Sequence, residues 1–152
     1  MSDIPFLFAN AALRIQGHFG RHKEIARVFG LEPSVSCKGG TLVPGPPGFT
    51  GKVCPADVCV LTAPISSSRP LEEHLRCLMG KLAGHSSYVR ELIASGARVE
   101  LILTLTSEQN KMDFTIDPAL IRAIADLGTP IVFSATSLGT LWAAAGGGEK
   151  AG

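Results

Sequence analysis

The segment 98–106 constrains the fold more than any other part of the chain. Val99, Leu101, Leu103 and Leu105 alternate with residues that are mostly charged or hydroxyl-bearing. Because successive side chains of a β-strand point to opposite faces, this pattern predicts a strand with one buried and one wet face. Such a strand is typical of an antiparallel or mixed sheet that is covered on its other side.

The rest of the chain supplies strands and helices in the predicted order β-α-β-α-α-β-β-α-β. The predicted strands cover 9–16, 57–62, 98–106, 112–116 and 131–135. The predicted helices cover 21–31, a segment from Pro70 to an interruption at 84–86, 87–95, and a segment from 118 to a stop at Gly128. The strands 98–106 and 112–116 are expected to form an antiparallel hairpin. The pattern therefore predicts an α+β protein, with a mixed, mostly antiparallel sheet and helices packed on one face.

The length and composition favour a single domain. The chain has 152 residues, of which 45% are hydrophobic and 18% charged, which is enough apolar material for one core. We expect one domain over 1–152, with an ordered core at about 8–136 and a frayed Gly-rich tail at 146–152. The segment 34–56 is rich in Gly and Pro and predicts a loop, with weak strand character at 41–43.

The charge balance and hydropathy argue against nucleic acid and membrane partners. Fourteen Lys and Arg residues against thirteen Asp and Glu residues leave a net charge of +1, without the basic excess of a phosphate-backbone binder. No apolar stretch approaches the roughly 18 residues of a membrane span. The first residues lack the basic segment of a secretory signal, which predicts a cytoplasmic protein. Its four cysteines are then expected to be reduced thiols, although an even number also permits two disulfides.

The segment 45–53 resembles a phosphate-binding loop but does not meet its requirements. Five residues separate Gly45 from Gly51, where the Walker pattern has four, and Lys52 is followed by Val53 instead of a hydroxyl-bearing residue. Two prolines in the same segment also remove backbone donors for phosphate. The sequence therefore predicts no nucleotide site here.

Four residues are the best candidates for metal ligands: Cys54, Cys59, His74 and Cys77. Zinc takes four such ligands in a tetrahedron, so a zinc-stabilised module is one alternative. The spacing is not that of a standard zinc finger, and cysteine is commonly buried as a small apolar residue. Buried thiols are thus the simpler interpretation, and we predict no cofactor.

Catalytic patterns are weak. His18 and His22 would share a face only if both were helical, and nearby glycines favour a solvated pair in a loop. Glu72 and Glu73 are adjacent on a helix and cannot face each other, and Asp117 is explained as a helix N-cap. The sequence predicts no catalytic residue and favours a non-enzymatic protein.

Several short motifs resemble a known family. They are the helix end Gly30-Leu31-Glu32-Pro33, Lys38-Gly39-Gly40, Leu71-Glu72-Glu73-His74-Leu75 and Phe114-Thr115-Ile116-Asp117-Pro118. Over about residues 8–135 the chain resembles the bacterial family called domain of unknown function 4279. It departs from that family near Asp57, where a tryptophan is expected, and its single tryptophan is Trp142. The resemblance implies a small cytosolic bacterial domain and carries over no activity and no catalytic residue.

The wet face of the strand 98–106 is the first candidate for a binding surface. This face is formed by Ile102 and the polar residues around it, Arg98, Glu100, Thr104 and Thr106. It is either a solvated sheet face or a contact surface. Our first hypothesis is a non-enzymatic binding or protein-interaction module, expected as a homodimer, that uses loop 38–52 and one sheet face. The alternative is a small-molecule binder or small enzyme with a pocket between loop 38–52 and the sheet.

Overall fold

A computed structural model describes residues 6–42, 52–108 and 113–137. In chain order its elements are β1 (Phe6–Gly17), α1 (His22–Phe29), β2 (Pro33–Cys37), β3 (Asp57–Thr62), α2 (Leu71–Leu82), α3 (Ser86–Ala94), β4 (Arg98–Ser107), α4 (Pro118–Leu127) and β5 (Ile131–Ser137). The α+β class is confirmed. Within these residues, no helix is long and apolar enough to cross a bilayer.

The strands form one sheet in the order β2-β3-β1-β4-β5. Three of the neighbouring pairs are antiparallel, and β4 and β5 are parallel because α4 connects them as a crossover. The sheet is therefore mixed and mostly antiparallel, as the alternating pattern predicts.

The hydrophobic core lies on one face of this sheet. The odd-numbered residues of β1, β3 and β4 point to it, and Leu13 lies opposite Leu101 across the β1–β4 ladder. Leu75 and Leu78 of α2 are fully buried against this face, and apolar residues of α1, α3 and α4 join the same cluster. Each fully buried leucine contributes about 1.5–3 kcal/mol relative to an exposed one. The helices of residues 6–42, 52–108 and 113–137 thus cover one face only.

The end of α1 and both ends of α4 follow the predicted signals, whereas α2 begins at Leu71, one residue after the predicted start at Pro70. Asp117 is the N-cap of α4, where its Oδ1 accepts the Ala119 N–H at 2.8 Å. Gly30 and Gly128 end α1 and α4 with φ of 62° and 74°, a left-handed conformation that glycine adopts without a Cβ penalty.

Two strands differ from the prediction. β2 lies in the segment predicted as a loop, because Pro33 and a register shift between Pro33 and Val35 hide its alternation. Conversely, residues 113–117 lie outside any strand, so the predicted hairpin partner at 112–116 does not form there. At 41–43 the described part of the predicted strand is a single bridge between Leu42 and Val53. The predicted tail at 146–152 and most of the segment 45–53 lie outside the described residues.

Candidate functional site

Asp57, the first residue of β3, joins two loops through its buried carboxylate. Oδ2 accepts the N–H groups of Phe19 and Gly20 at 3.1 and 2.9 Å, and Oδ1 accepts the N–H of Gly39 at 2.7 Å. The N–H groups of Gly39 and then Gly20 hold the pKa of Asp57 below its ordinary value, against burial, which raises it. Because its oxygens are occupied and it stays ionised, Asp57 holds the loops together and is a poor general base.

The Lys38-Gly39-Gly40 motif is explained by the same junction. A Cβ on Gly39 would lie 3.2 Å from the backbone of Ala56, so only glycine lets the turn approach β3 closely enough for Asp57 to accept its N–H. Gly40 follows with φ of 83°, which again favours glycine.

We expect Gly39→Ala to lower the free energy of unfolding by about 1–3 kcal/mol, the usual cost of overpacking a tight site. Gly80 is the matched control: it lies in α2, and a Cβ added there would have no neighbouring atom within 4 Å. Gly80→Ala should raise the free energy of unfolding by about 0.5–1 kcal/mol, since alanine is the better helix former. Urea denaturation of both variants measures this, and equal shifts of the same sign would contradict the packing argument at Gly39.

A disulfide between Cys37 and Cys54 closes the loop that follows β2. The two Cα atoms lie 6.6 Å apart, and the linked residues are separated by 17 positions. The expectation of four reduced thiols is therefore wrong for this pair. Cys59 and Cys77 are free, and burial raises the pKa of Cys59 to about 11, which leaves its thiol protonated and unreactive near neutral pH.

The four candidate metal ligands are not brought together. The sulfur of Cys54 is bonded to Cys37, and Cys59 lies on the core side of β3. His74 is 1% exposed inside the core, where burial lowers its pKa, and Cys77 is half-buried on the same helix. Among the residues that the structure describes, no three histidine, cysteine or acidic side chains could share a metal ion.

His18 and His22 lie in different environments. His18 is exposed before α1, and His22 is the first residue of that helix. The Nε2 of His22 donates to the carbonyl oxygen of Cys37 at 3.1 Å, and its ring lies 4.8 Å from that of Phe19. His22 thus holds the start of α1 against the end of β2.

A surface pocket of about 530 Å³ opens beside this junction. It is lined by Gly20, Arg21, His22, Lys23, Glu24, Ser36 and Lys38. Arg21 is engaged by Glu91 at 2.8 Å and Glu24 at 3.8 Å. The pocket lies at the beginning of loop 38–52 and next to β2, which is close to the place that the sequence suggests for a small-molecule site.

The face of the sheet opposite the helices is called the open face below. Ladder register places on it Phe8, Asn10, Ala12, Arg14, Gln16, Val35, Cys37, Val58, Val60, Thr62, Arg98, Glu100, Ile102, Thr104, Thr106, Val132, Ser134 and Thr136. Phe8 is 39% and Val35 48% exposed, whereas Ile102 is half-buried. The open face therefore mixes apolar and hydroxyl side chains.

The prediction that Glu100 is solvated on the wet face is wrong. It is only 2% exposed, because Arg14 of β1 and Arg98 donate to its two carboxylate oxygens. The Arg14 guanidinium, followed by that of Arg98, holds the pKa of Glu100 below its ordinary value against its burial. The alternation of β4 placed Glu100 on the correct face, but only the β1–β4 register reveals its partner.

Sequence patterns missed the most connected groups of the site. Asp57 carries no motif of its own, and its donors lie 18, 37 and 38 residues away in sequence. The available signals were the two consecutive glycines after Lys38 and the cysteines that flank the Gly/Pro-rich segment.

Comparison with known proteins adds one finding. A family model described as a domain of unknown function, DUF4279, matches residues 8–138. A comparison with curated proteins finds no match.

Proposed function

Because the chain belongs to the DUF4279 family of domains of unknown function, we propose its function from its own geometry. It is a small non-enzymatic module that binds a partner protein through the open face of its sheet. The observation that carries this proposal is that the described residues cover the sheet on one side. The helices bury only the core face, and apolar side chains such as Phe8 and Val35 stay exposed on the other.

The charge on the open face indicates what kind of partner fits. Arg14 and Arg98 share the single carboxylate of Glu100, which leaves one positive charge in excess among the described side chains of this face. The side chain of Arg98 is 74% exposed and that of Glu100 only 3%. The surface that fits is therefore largely apolar and carries an acidic side chain opposite Arg98.

Site-specific photo-cross-linking in the source cells tests this proposal. A benzophenone amino acid at Thr104, on the open face, should yield one discrete cross-linked protein. The same probe at Ile93, which is 39% exposed on α3, serves as the matched control and should yield no such product.

Charge reversal at Arg98 completes the test. Arg98→Glu should abolish the Thr104 cross-link, because it places a carboxylate opposite the acidic group of the partner. Equal cross-linking from Thr104 and Ile93, or a Thr104 product that is unaffected by Arg98→Glu, would contradict the proposal.

The pocket beside α1 favours a second candidate, the binding of a small anion. Lys23 and Lys38 line it together with Glu24, and Arg21 is already paired. The lining is thus cationic on balance. A retained small molecule in the purified protein is the observation that would favour this candidate.

Two finer predictions accompany the proposal: that the protein is a bacterial, cytoplasmic one and that it forms homodimers. The disulfide bears on the first of these, because reducing compartments keep most such pairs open. We therefore propose that the Cys37–Cys54 disulfide is reduced to two thiols in a reducing compartment and forms in an oxidising one.

A further inference from the structure

The sheet ends in two edge strands, and within the described residues only one of them is protected. β2 contains Pro33, carries a register shift, and is tied through Cys37 to Cys54. Prolines, bulges and covering loops are the devices by which natural proteins keep edge strands from pairing. The β2 edge is therefore closed to a further strand.

As far as the structure describes the chain, β5 carries none of these devices. Its sequence from Ile131 to Ser137 contains no charged residue and no proline, and its register with β4 runs without a shift. Its side chains are mostly exposed. In the part of the chain that the structure describes, β5 pairs with β4 alone.

The backbone of β5 shows which groups face outward. The carbonyl oxygen of Pro130 accepts the N–H of Leu101 at 2.9 Å, so the even-numbered residues of β5 direct their backbone groups to β4. Ile131, Phe133 and Ala135 then direct theirs away from the sheet. These are donors and acceptors that a further strand can use.

Exposed apolar side chains lie next to this edge, on the face of the sheet that the helices cover. Ile131 is 38% and Phe133 52% exposed. The ring of Phe114, itself 41% exposed, stacks on Phe133 with centroids 5.6 Å apart. An exposed apolar cluster beside an unpaired edge is a typical contact surface.

We propose that β5 pairs with β5 of a second copy of this chain, antiparallel about a two-fold axis at Ser134. In this register Phe133 lies opposite Ala135 of the partner subunit, so a large side chain meets a small one. Val132 lies opposite Thr136 of the partner subunit, a favourable pair of β-branched residues. A two-fold axis brings like charges together, and β5 has no charge to repel its copy.

This pairing joins the two sheets into one and places both open faces side by side. It uses the edge of the sheet, whereas the proposed protein-binding surface uses its open face. Val132, Ser134 and Thr136 belong to both surfaces. Pairing is tested at Phe133 and Ala135 and partner binding at Thr104 and Arg98, so the two proposals fail separately.

Sedimentation equilibrium of the full chain tests the pairing. We expect a species of twice the 15.9 kDa chain mass. Ala135→Pro removes one outward N–H without breaking the β4 ladder, and should raise the dimer dissociation constant at least about 30-fold. Phe133→Lys, which places a charge at the edge, should do the same and serves as the second variant if Ala135→Pro does not fold.

Val35→Lys is the matched control, because it adds the same charge at the opposite edge of the sheet, where Val35 is 48% exposed. It should leave the dimer intact, and thermal melts of each variant show that it is folded. A monomer at every concentration overturns the proposal. So does a dimer that Val35→Lys weakens and that the folded β5 variants leave unchanged.

Discussion

Asp57→Asn should be among the most destabilising single substitutions in this chain. The asparagine amide has one donor end, so at least one of the N–H groups of Phe19, Gly20 and Gly39 would face another donor. A buried donor without an acceptor costs about 1–3 kcal/mol, and the bonds of a charged acceptor are the stronger ones. We expect a loss of about 3 kcal/mol in the free energy of unfolding, measured by urea denaturation.

The pH dependence of this difference identifies the carboxylate as its cause. The pKa of Asp57 is lowered in the folded state, so its ionised form adds stability above its unfolded pKa of about 3.9. That stability is lost as the pH falls through the lower folded pKa. The gap between wild type and Asp57→Asn should therefore be constant near neutral pH and shrink below about pH 4.

Asp126 supplies the control for Asp57, because it is an exposed aspartate at the end of α4. Asp126→Asn should change stability by no more than about 0.5 kcal/mol. If the two variants lose the same stability, or the Asp57→Asn gap does not narrow in acid, the carboxylate does not hold the two loops as described.

Removing the Cys37–Cys54 disulfide should lower the free energy of unfolding by about as much as Asp57→Asn does. A bond between residues 17 positions apart restricts the unfolded chain by about 3 kcal/mol on the loop-entropy model. The double variant Cys37→Ser, Cys54→Ser should lose this amount in urea denaturation. Reductant should cause a similar loss in wild type and none in the double variant.

Cys77→Ser is the matched control, since Cys77 is a free, half-buried thiol outside the bond. It should shift stability far less than the double variant does. Thiol titration of the unfolded, unreduced protein should find two free thiols, those of Cys59 and Cys77. Four titratable thiols, together with no effect of reductant on stability, would mean that the bond does not form in solution.

Periodic patterns predicted the parts of the fold that depend on local sequence. β4 was predicted from the alternation of residues 98–106, and α4 from the Asp117 cap and the Gly128 stop. These signals are local because a strand or a helix buries one face of its own segment. β2 was missed because an edge strand with Pro33 and a bulge has no such face.

The site could not be predicted because its contacts connect distant segments. Four cysteines allow three pairings, and spacing alone does not select Cys37 with Cys54. Glu100 was placed on the wet face because nothing in β4 shows that Arg14, 86 residues earlier, donates to it. Asp57 binds backbone N–H groups, which leave no trace in residue identity except at Gly39.

Native mass spectrometry of the protein, purified without added metal or chelator, tests most directly whether it is a module that carries no small molecule and no metal of its own. We expect a species of twice the 15.9 kDa polypeptide mass with nothing else bound. Excess mass that matches a small organic molecule would instead direct attention to the pocket beside α1. Excess mass that matches zinc would favour a zinc site at the cysteines. Either result would contradict the proposed function.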